Sequence, residues 1–309
     1  MISKSGYNTA SSISVWGESQ QREMVDVHQY WTGIQALQPD IFVSLCDSDI
    51  PENSTSKRAQ KASKFTQKSI EVLVERNQDM NLLHIGPIEG GYLENLRMHN
   101  TQWVAKQPLD GYFLDGFHNN GPTSLDIALN KVVDVLQSSV LPYLPKDKPR
   151  FYFGMIGPHE VLDLVRNGVD FFETSFVYNK SDLGHALTFR NTAGMAGITN
   201  NQSENLPSNC QNDETEIENK ETLRAHIDLN LAMYKNDFGP ILKNCSCYAC
   251  RKYTRGYINH LLATKELLAG VLLTIHNLHH YAIFFQSIRE AIANDTFETF
   301  AKQFDNIEK

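Results

Sequence analysis

The chain has 309 residues, 41% of them hydrophobic, and carries 28 Lys and Arg against 36 Asp and Glu for a net charge of −8. That length accommodates one large domain or two modest ones with ample material for a core. The acidic balance excludes a global attraction to nucleic acid, so any RNA contact must be local.

Residues 1–24 contain no clear element and are expected to be poorly ordered. From residue 40 to residue 176, short apolar, β-branched or aromatic runs alternate with longer amphipathic segments, the pattern of parallel strands joined by crossover helices. Strands are expected at 40–45, 82–85, 111–114, 150–155 and 171–175. Helices are expected at 56–76, 91–105, 124–140 and 159–167, the last opening after Gly157-Pro158. Such βα units build either a doubly wound open sheet or a (β/α) barrel, and periodicity alone does not choose between them. After residue 175 the rhythm changes. Residues 185–189 and 227–231 read as an antiparallel pair, separated by a polar stretch, 200–221, that is nearly empty of large apolar side chains and is expected to be a disordered insertion. Two helices follow, at 255–278 and 281–293 with a break near Asn277, then a short helix at 297–304.

The most informative local feature is Cys245, Cys247 and Cys250, packed into six residues. Thiols so close cannot all pair as disulfides without strain, whereas three of them with one imidazole complete the tetrahedral shell of a structural zinc ion. His276 follows after twenty-five intervening residues. By spacing alone His260, His279 and His280 compete with it as fourth ligand, and a lone helix histidine is more often not a ligand at all. The bland alternative for the cysteines, small buried hydrophobes, fits poorly with a polar turn beside lysine and arginine. Cys46, on an apolar run, and Cys210, in a polar loop, have no obvious partner. The odd total of five, the lack of a charged-then-apolar leader at Met1 and the lack of an apolar run long enough to cross a bilayer lead to the expectation of a reducing, cytoplasmic setting with no transmembrane segment. Asn-x-Ser/Thr triplets at Asn53, Asn201, Asn244 and Asn294 are read as chance. Basic residues Lys243, Arg251, Lys252, Arg255 and Lys265 crowd the same region, with Tyr248, Tyr253 and Tyr257 between them. This is either a phosphate-binding face with stacking groups or a solvated helix surface.

The segment from Cys245 through Arg251-Lys252-Tyr253-Thr254-Arg255-Gly256-Tyr257, continuing to Leu272-Leu273-Thr274-Ile275-His276-Asn277-Leu278, resembles the zinc subdomain of tRNA-guanine transglycosylases. The resemblance implies that Cys245, Cys247, Cys250 and His276 hold one zinc ion. Upstream, Asp40-Ile41 to Asp47 resembles the family's strand ending in a base-recognising Asp, Gly86 to Gly91 its Gly-Gly loop, and Gly168-Val169-Asp170-Phe171-Phe172-Glu173 the strand carrying its catalytic aspartate. The family fold implied is α/β, a (β/α)8 TIM-type barrel, here incomplete at its N-terminal side with about five of eight strands, followed by a C-terminal zinc-binding subdomain. The expected organisation is an N-terminal segment 1–24, a partial barrel over 25–199, the insertion over 200–221, and the zinc subdomain with terminal helices over 222–309.

The departures from the family carry the functional expectation. Exchange of guanine in tRNA needs one carboxylate to attack the ribose and another to move a proton. Here the nucleophile position is Glu173, in Phe-Glu-Thr, where the family has Asp, and one extra methylene displaces the carboxylate by roughly an ångström or more. The family's Asp-Ser-Gly-Gly-like sequence is missing, and its Gly-Gly-Leu-Ala-like base loop is replaced by Leu114-Asp115-Gly116-Phe117-His118-Asn119-Asn120-Gly121. The expectation is a non-catalytic member, with no catalytic residues, that forms a heterodimer with a catalytic relative and helps hold tRNA while that relative exchanges guanine for queuine at the wobble position. A homodimer is the alternative assembly. The contacts expected for tRNA are Lys243, Arg251, Lys252 and Arg255, and the docking stripe is Leu261, Leu262, Leu268, Leu272 and Ile275. The resemblance also allows peripheral association with the mitochondrial outer membrane. Two rival readings are an active transglycosylase, with Glu173 as nucleophile and Asp47 as base, and a zinc-dependent interaction scaffold.

Overall fold

The computed structural model describes residues 8–17, 19–48, 50–117, 128–189 and 225–304. The insertion expected at 200–221, Cys210 within it, and His118 to Gly121 of the replaced loop lie outside these residues. The chain divides into two compact units, Met1–Glu173 and Thr174–Lys309.

In the first unit, β1 (Ser12–Trp16) and β2 (Arg22–Asp26) pair antiparallel, with the Arg22 guanidinium 4.8 Å above the Trp16 ring. These strands fall in the stretch expected to hold no element, because Ser, Arg, Glu and Asp dilute the apolar alternation on which a sequence reading depends. Asp26 ends β2 and caps α1 (Val27–Leu37). Its carboxylate accepts from the His28 and Gln29 amides, and the Gln29 side chain accepts from the Asp26 amide. Trp31 and Ile34 of this helix pack on Phe42 and Leu73.

Five strands, β3 (Ile41–Val43), β4 (Leu83–Ile88), β5 (Gly111–Leu114), β6 (Arg150–Tyr152) and β7 (Phe171–Phe172), form one parallel sheet in chain order. Helices α2 (Ser56–Asn77), α3 (Glu94–Val104), α4 (Leu129–Ser139) and α5 (Pro158–Arg166) lie between successive strands. All five strand positions and four helix positions agree with the sequence reading to within a few residues over the described residues; 124–127 of the helix expected at 124–140 lie outside them. The order decides between the two architectures left open. A doubly wound sheet reverses direction at a switch point, whereas here each strand lies beside its predecessor. The result is a curled parallel half-barrel; among the described residues the sheet is five-stranded and does not close into the eight-stranded barrel of the family expectation. Ile85, Phe113 and Phe151 alternate onto one face with Val43, Cys46 and Phe153 beside them.

The second unit opens with α6 (Ser175–Asp182). β8 (His185–Leu187) and β9 (His226–Asp228) then pair antiparallel, as expected, with Ala186 opposite Ile227. Thus β8 belongs with the cysteine-bearing unit, whereas the expected boundary left it in the barrel portion. Helices α7 (Tyr248–Lys252), α8 (Arg255–Ala263), α9 (Leu267–Ala293) and α10 (Phe297–Ala301) complete the unit. The expected break near Asn277 is corrected. The chain turns at 264–266 instead, where Lys265 adopts φ +58°, and α9 runs unbroken through Asn277. Asn277 resembles a terminator because its side chain can compete with helix, but here that side chain is spent outside the helix, on the β8 region. At 27 residues α9 is also long and apolar enough, by length and composition, to cross a membrane, which corrects the expectation that no such stretch exists. Its buried His276, Asn277 and His280 all bond to the segment containing β8, the behaviour of a core helix.

Candidate metal centre and strand-end cluster

Cys247 sits at the N-cap of α7 and Cys250 three residues on, so the first turn of a short helix brings both sulfurs to one side. The Cys250 amide donates to the Cys247 sulfur at 3.3 Å. His276 lies in the middle of α9 and is wholly buried. Its Nδ1 is 3.8, 3.5 and 3.3 Å from the sulfurs of Cys245, Cys247 and Cys250. In a tetrahedral zinc shell with ordinary bond lengths a sulfur and a nitrogen stand about 3.6 Å apart. The three distances bracket that value, so the four side chains can hold a metal ion between them.

The surroundings prepare the imidazole for this. Its Nε2 donates to the Leu187 carbonyl at 2.9 Å, which leaves Nδ1 as the lone-pair nitrogen facing the sulfurs. Burial works against a charged imidazole, but the Cys245 and Cys247 sulfurs and the Leu187 carbonyl outweigh it and raise the His276 pKa to about 9, so a metal ion that takes Nδ1 does so by displacing a proton. Hydrogen bonds from Cys245 and Cys250 favour the Cys247 thiolate. Asn277 fixes the strand that supplies the carbonyl. Its Oδ1 accepts from the Leu187 amide at 2.8 Å, and its Nδ2 donates to Ser181 Oγ and the His185 carbonyl, both at 2.9 Å.

The competing histidines are placed elsewhere. His280 Nε2 bonds the Phe189 carbonyl at 2.8 Å, and burial pulls its pKa down to about 3. His279 Nε2 meets Ser246 Oγ at 3.3 Å, and His260 is exposed. Of the basic residues, Lys243, Arg251 and Lys252 are exposed. Arg255 is turned inward, paired with Asp237 at 3.2 Å and donating from Nε to the Ile241 carbonyl. Tyr248, Tyr253 and Tyr257 form a ladder, the last two stacked with centroids 5.3 Å apart. The apolar stripe splits. Leu261 and Leu272 belong to the unit's own core and Leu262 packs against it, while Leu268 and Ile275 are exposed together with Leu267, Val271 and Leu278.

At the carboxyl ends of the half-barrel strands, where such folds place their chemistry, Asp47 is already engaged. It follows β3, is buried, and is held by both Arg58 Nη atoms, at 2.8 and 2.6 Å, and by Asn8 at 2.7 Å. Glu89 follows β4 and Asp115 follows β5, both buried. Arg97 from α3 is wholly buried between their loops. It donates to the carbonyls of Gly91, Ile88 and Asp115 at 2.6, 3.0 and 2.7 Å, and its guanidinium lies 3.9 Å over the Phe117 ring. The Gly-Gly turn permits this: at Gly90, with φ +132°, an added Cβ would come within 2.7 Å of the Arg97 backbone. Burial pushes the Glu89 carboxyl well above its usual range, and the neighbouring Asp115 adds to the effect. Glu173 stands partly exposed just after β7. Sequence reasoning does not reveal Glu89, Arg97 and Cys46 as a group, because their proximity depends on strand order.

A family model described as queuine tRNA-ribosyltransferase matches residues 2–308. The chain belongs to this family. Among curated relatives, the queuine tRNA-ribosyltransferase accessory subunit 2 of Homo sapiens is 38% identical over 305 residues, 94% of this chain and 71% of the relative. The protein of that name in Xenopus laevis is 34% identical over 310 residues, 96% of this chain and 73% of the relative. That of Ixodes scapularis is 32% identical over 295 residues, 93% and 69% respectively.

Proposed function

We propose that the chain is a non-catalytic accessory subunit of a queuine tRNA-ribosyltransferase, working as a heterodimer with a catalytic subunit on tRNA in the cytoplasm. The name shared by its relatives supports the role. The observation that carries the non-catalytic part is the occupied strand-end face. Asp47, the carboxylate nearest to a base-recognition role, is bound bidentately by Arg58. The region of the replaced base loop is filled by Asp115, Phe117 and the buried Arg97. Both Asp47 oxygens are taken up by Arg58 and Asn8, and Glu173 by itself does not complete a reaction that needs two carboxylates in separate roles.

The metal is zinc, for which three sulfurs and one imidazole are a preferred shell. The ion would supply no chemistry to substrate; it ties α7 to α9, and His276 in turn ties α9 to β8. The exposed stripe of Leu268, Val271, Ile275 and Leu278 on α9 is the surface offered to the catalytic subunit. Arg251 and Lys252, beside the tyrosine ladder, are the contacts to tRNA phosphates, with Lys243 adding charge. Arg255, spent on Asp237, is not. Co-purification tests the reading. The catalytic subunit should be retained by the wild-type chain and released by Val271→Glu with Ile275→Glu, with zinc content unchanged. Retention by the double variant would refute the docking surface.

A further inference from the structure

We propose that Cys46, Glu89 and Asp115 form a second metal site, for a divalent cation such as zinc that accepts mixed thiolate and carboxylate donors. The three residues follow β3, β4 and β5 in turn, so the parallel order of adjacent strands brings them together at one end of the sheet. Their ligating atoms all lie within 4.8 Å of one another. Cys46 Sγ is 3.3 Å from Asp115 Oδ2, close to the roughly 3.5 Å that separates a sulfur and an oxygen on one tetrahedral zinc ion.

The independent pointer to a ligand is Glu89. It is wholly buried, and no N–H or O–H among the described residues donates to either of its carboxylate oxygens; what it faces is a second carboxylate, Asp115. Buried carboxylates without donors are rare because nothing replaces their lost hydration. The nearby guanidinium does not meet the need directly, since Arg97 spends its hydrogen bonds on main-chain carbonyls. A cation does. Charge also balances, because a thiolate and two carboxylates are matched by one dication together with Arg97, while Asp47 is separately matched by Arg58. Ser48 serves as the outer-shell donor that orients the site, bonding Asp115 Oδ2 and lying 3.4 Å from Cys46 Sγ. Gly116 preserves the space: with φ +77°, a Cβ there would press to 3.2 Å from Glu89 Oε2.

Metal content of the purified full-length chain tests this. After loading with zinc and removal of excess, the chain should hold about two equivalents, one for each ligand set. Glu89→Gln and Asp115→Asn should each reduce this to about one, with far-UV circular dichroism confirming that the variants fold. Cys46→Ser keeps the shape of the site and should weaken zinc retention there by at least about tenfold, read by competition with a chromophoric chelator. Cys247→Ser should remove the other equivalent, so loss of one site is distinguished from loss of the other. A wild-type chain holding a single equivalent that Glu89→Gln and Asp115→Asn leave in place would overturn the proposal. Glu89 and Asp115 would then share a proton instead of a metal.

Discussion

Replacing Asn277 with alanine isolates the link between β8 and the candidate metal centre. The side chain makes three hydrogen bonds: one accepted from the Leu187 amide and two donated, to Ser181 and to the His185 carbonyl. At about 1 kcal/mol net for each, plus about 1–3 kcal/mol for leaving the buried Leu187 N–H without an acceptor, the loss should be roughly 4–6 kcal/mol. With a urea slope of about 2–3 kcal/mol/M, the unfolding midpoint of the second unit should fall by roughly 2 M. The probe must report that unit. All three tryptophans, Trp16, Trp31 and Trp103, lie in the first unit, so their fluorescence does not. Cobalt(II) substituted at the cysteine cluster does, through its thiolate absorption. Because Leu187 also holds the His276 ring by its carbonyl, the cobalt signal should be lost at correspondingly lower urea. A midpoint shift below about 0.4 M, equivalent to less than about 1 kcal/mol, would refute the reasoning that Asn277 is the strand's anchor.

Arg58→Ala should destabilise the first unit by about 2–3 kcal/mol, since it strands the buried Asp47 carboxylate, while Arg58→Lys should cost less by keeping the charge. Tryptophan fluorescence in urea measures both, and a loss under about 0.5 kcal/mol would mark the pair as an ordinary surface bridge. His84 is buried against Ser44, and burial lowers its pKa from 6.5 to about 4. The unfolded chain therefore binds the proton more readily, so the contribution of neutral His84 is complete above about pH 6.5 and is lost as pH falls toward about 4. The loss amounts to about 1.4 kcal/mol by about pH 5.5, measured as the difference in pH slope between wild type and His84→Asn; equal slopes would contradict it. Replacing Arg251 and Lys252 with alanine should weaken tRNA binding and reduce its salt slope by roughly one to two, whereas Arg255→Ala should lower stability first. A salt slope unchanged in the double variant would remove these residues from the tRNA contact.

Much of this molecule is legible in the sequence because its βα units are strongly periodic. The strand Gly111–Leu114 falls where its apolar run predicts, to the residue. The cysteine cluster stands out because three thiols in a polar turn make poor core material and a ready ligand set. The remainder is hidden for physical reasons. The β1–β2 hairpin carries little apolar alternation, with Ser12, Ser14, Arg22 and Glu23 among its residues. A mid-helix Asn ordinarily competes with the backbone, so Asn277 reads as a break, and its partners on β8 are nearly a hundred residues away. Arg255 reads as part of a basic face until its ion pair with Asp237 is taken into account. The convergence of Cys46, Glu89 and Asp115 depends on strand adjacency, which spacing along the chain does not encode.

The measurement closest to the central claim is guanine exchange into tRNA by the purified chain, alone and with a catalytic subunit. We expect no incorporation by the chain alone, and incorporation by the pair that Glu173→Gln leaves intact. Incorporation by the chain alone, abolished by Glu173→Gln, would contradict the non-catalytic role.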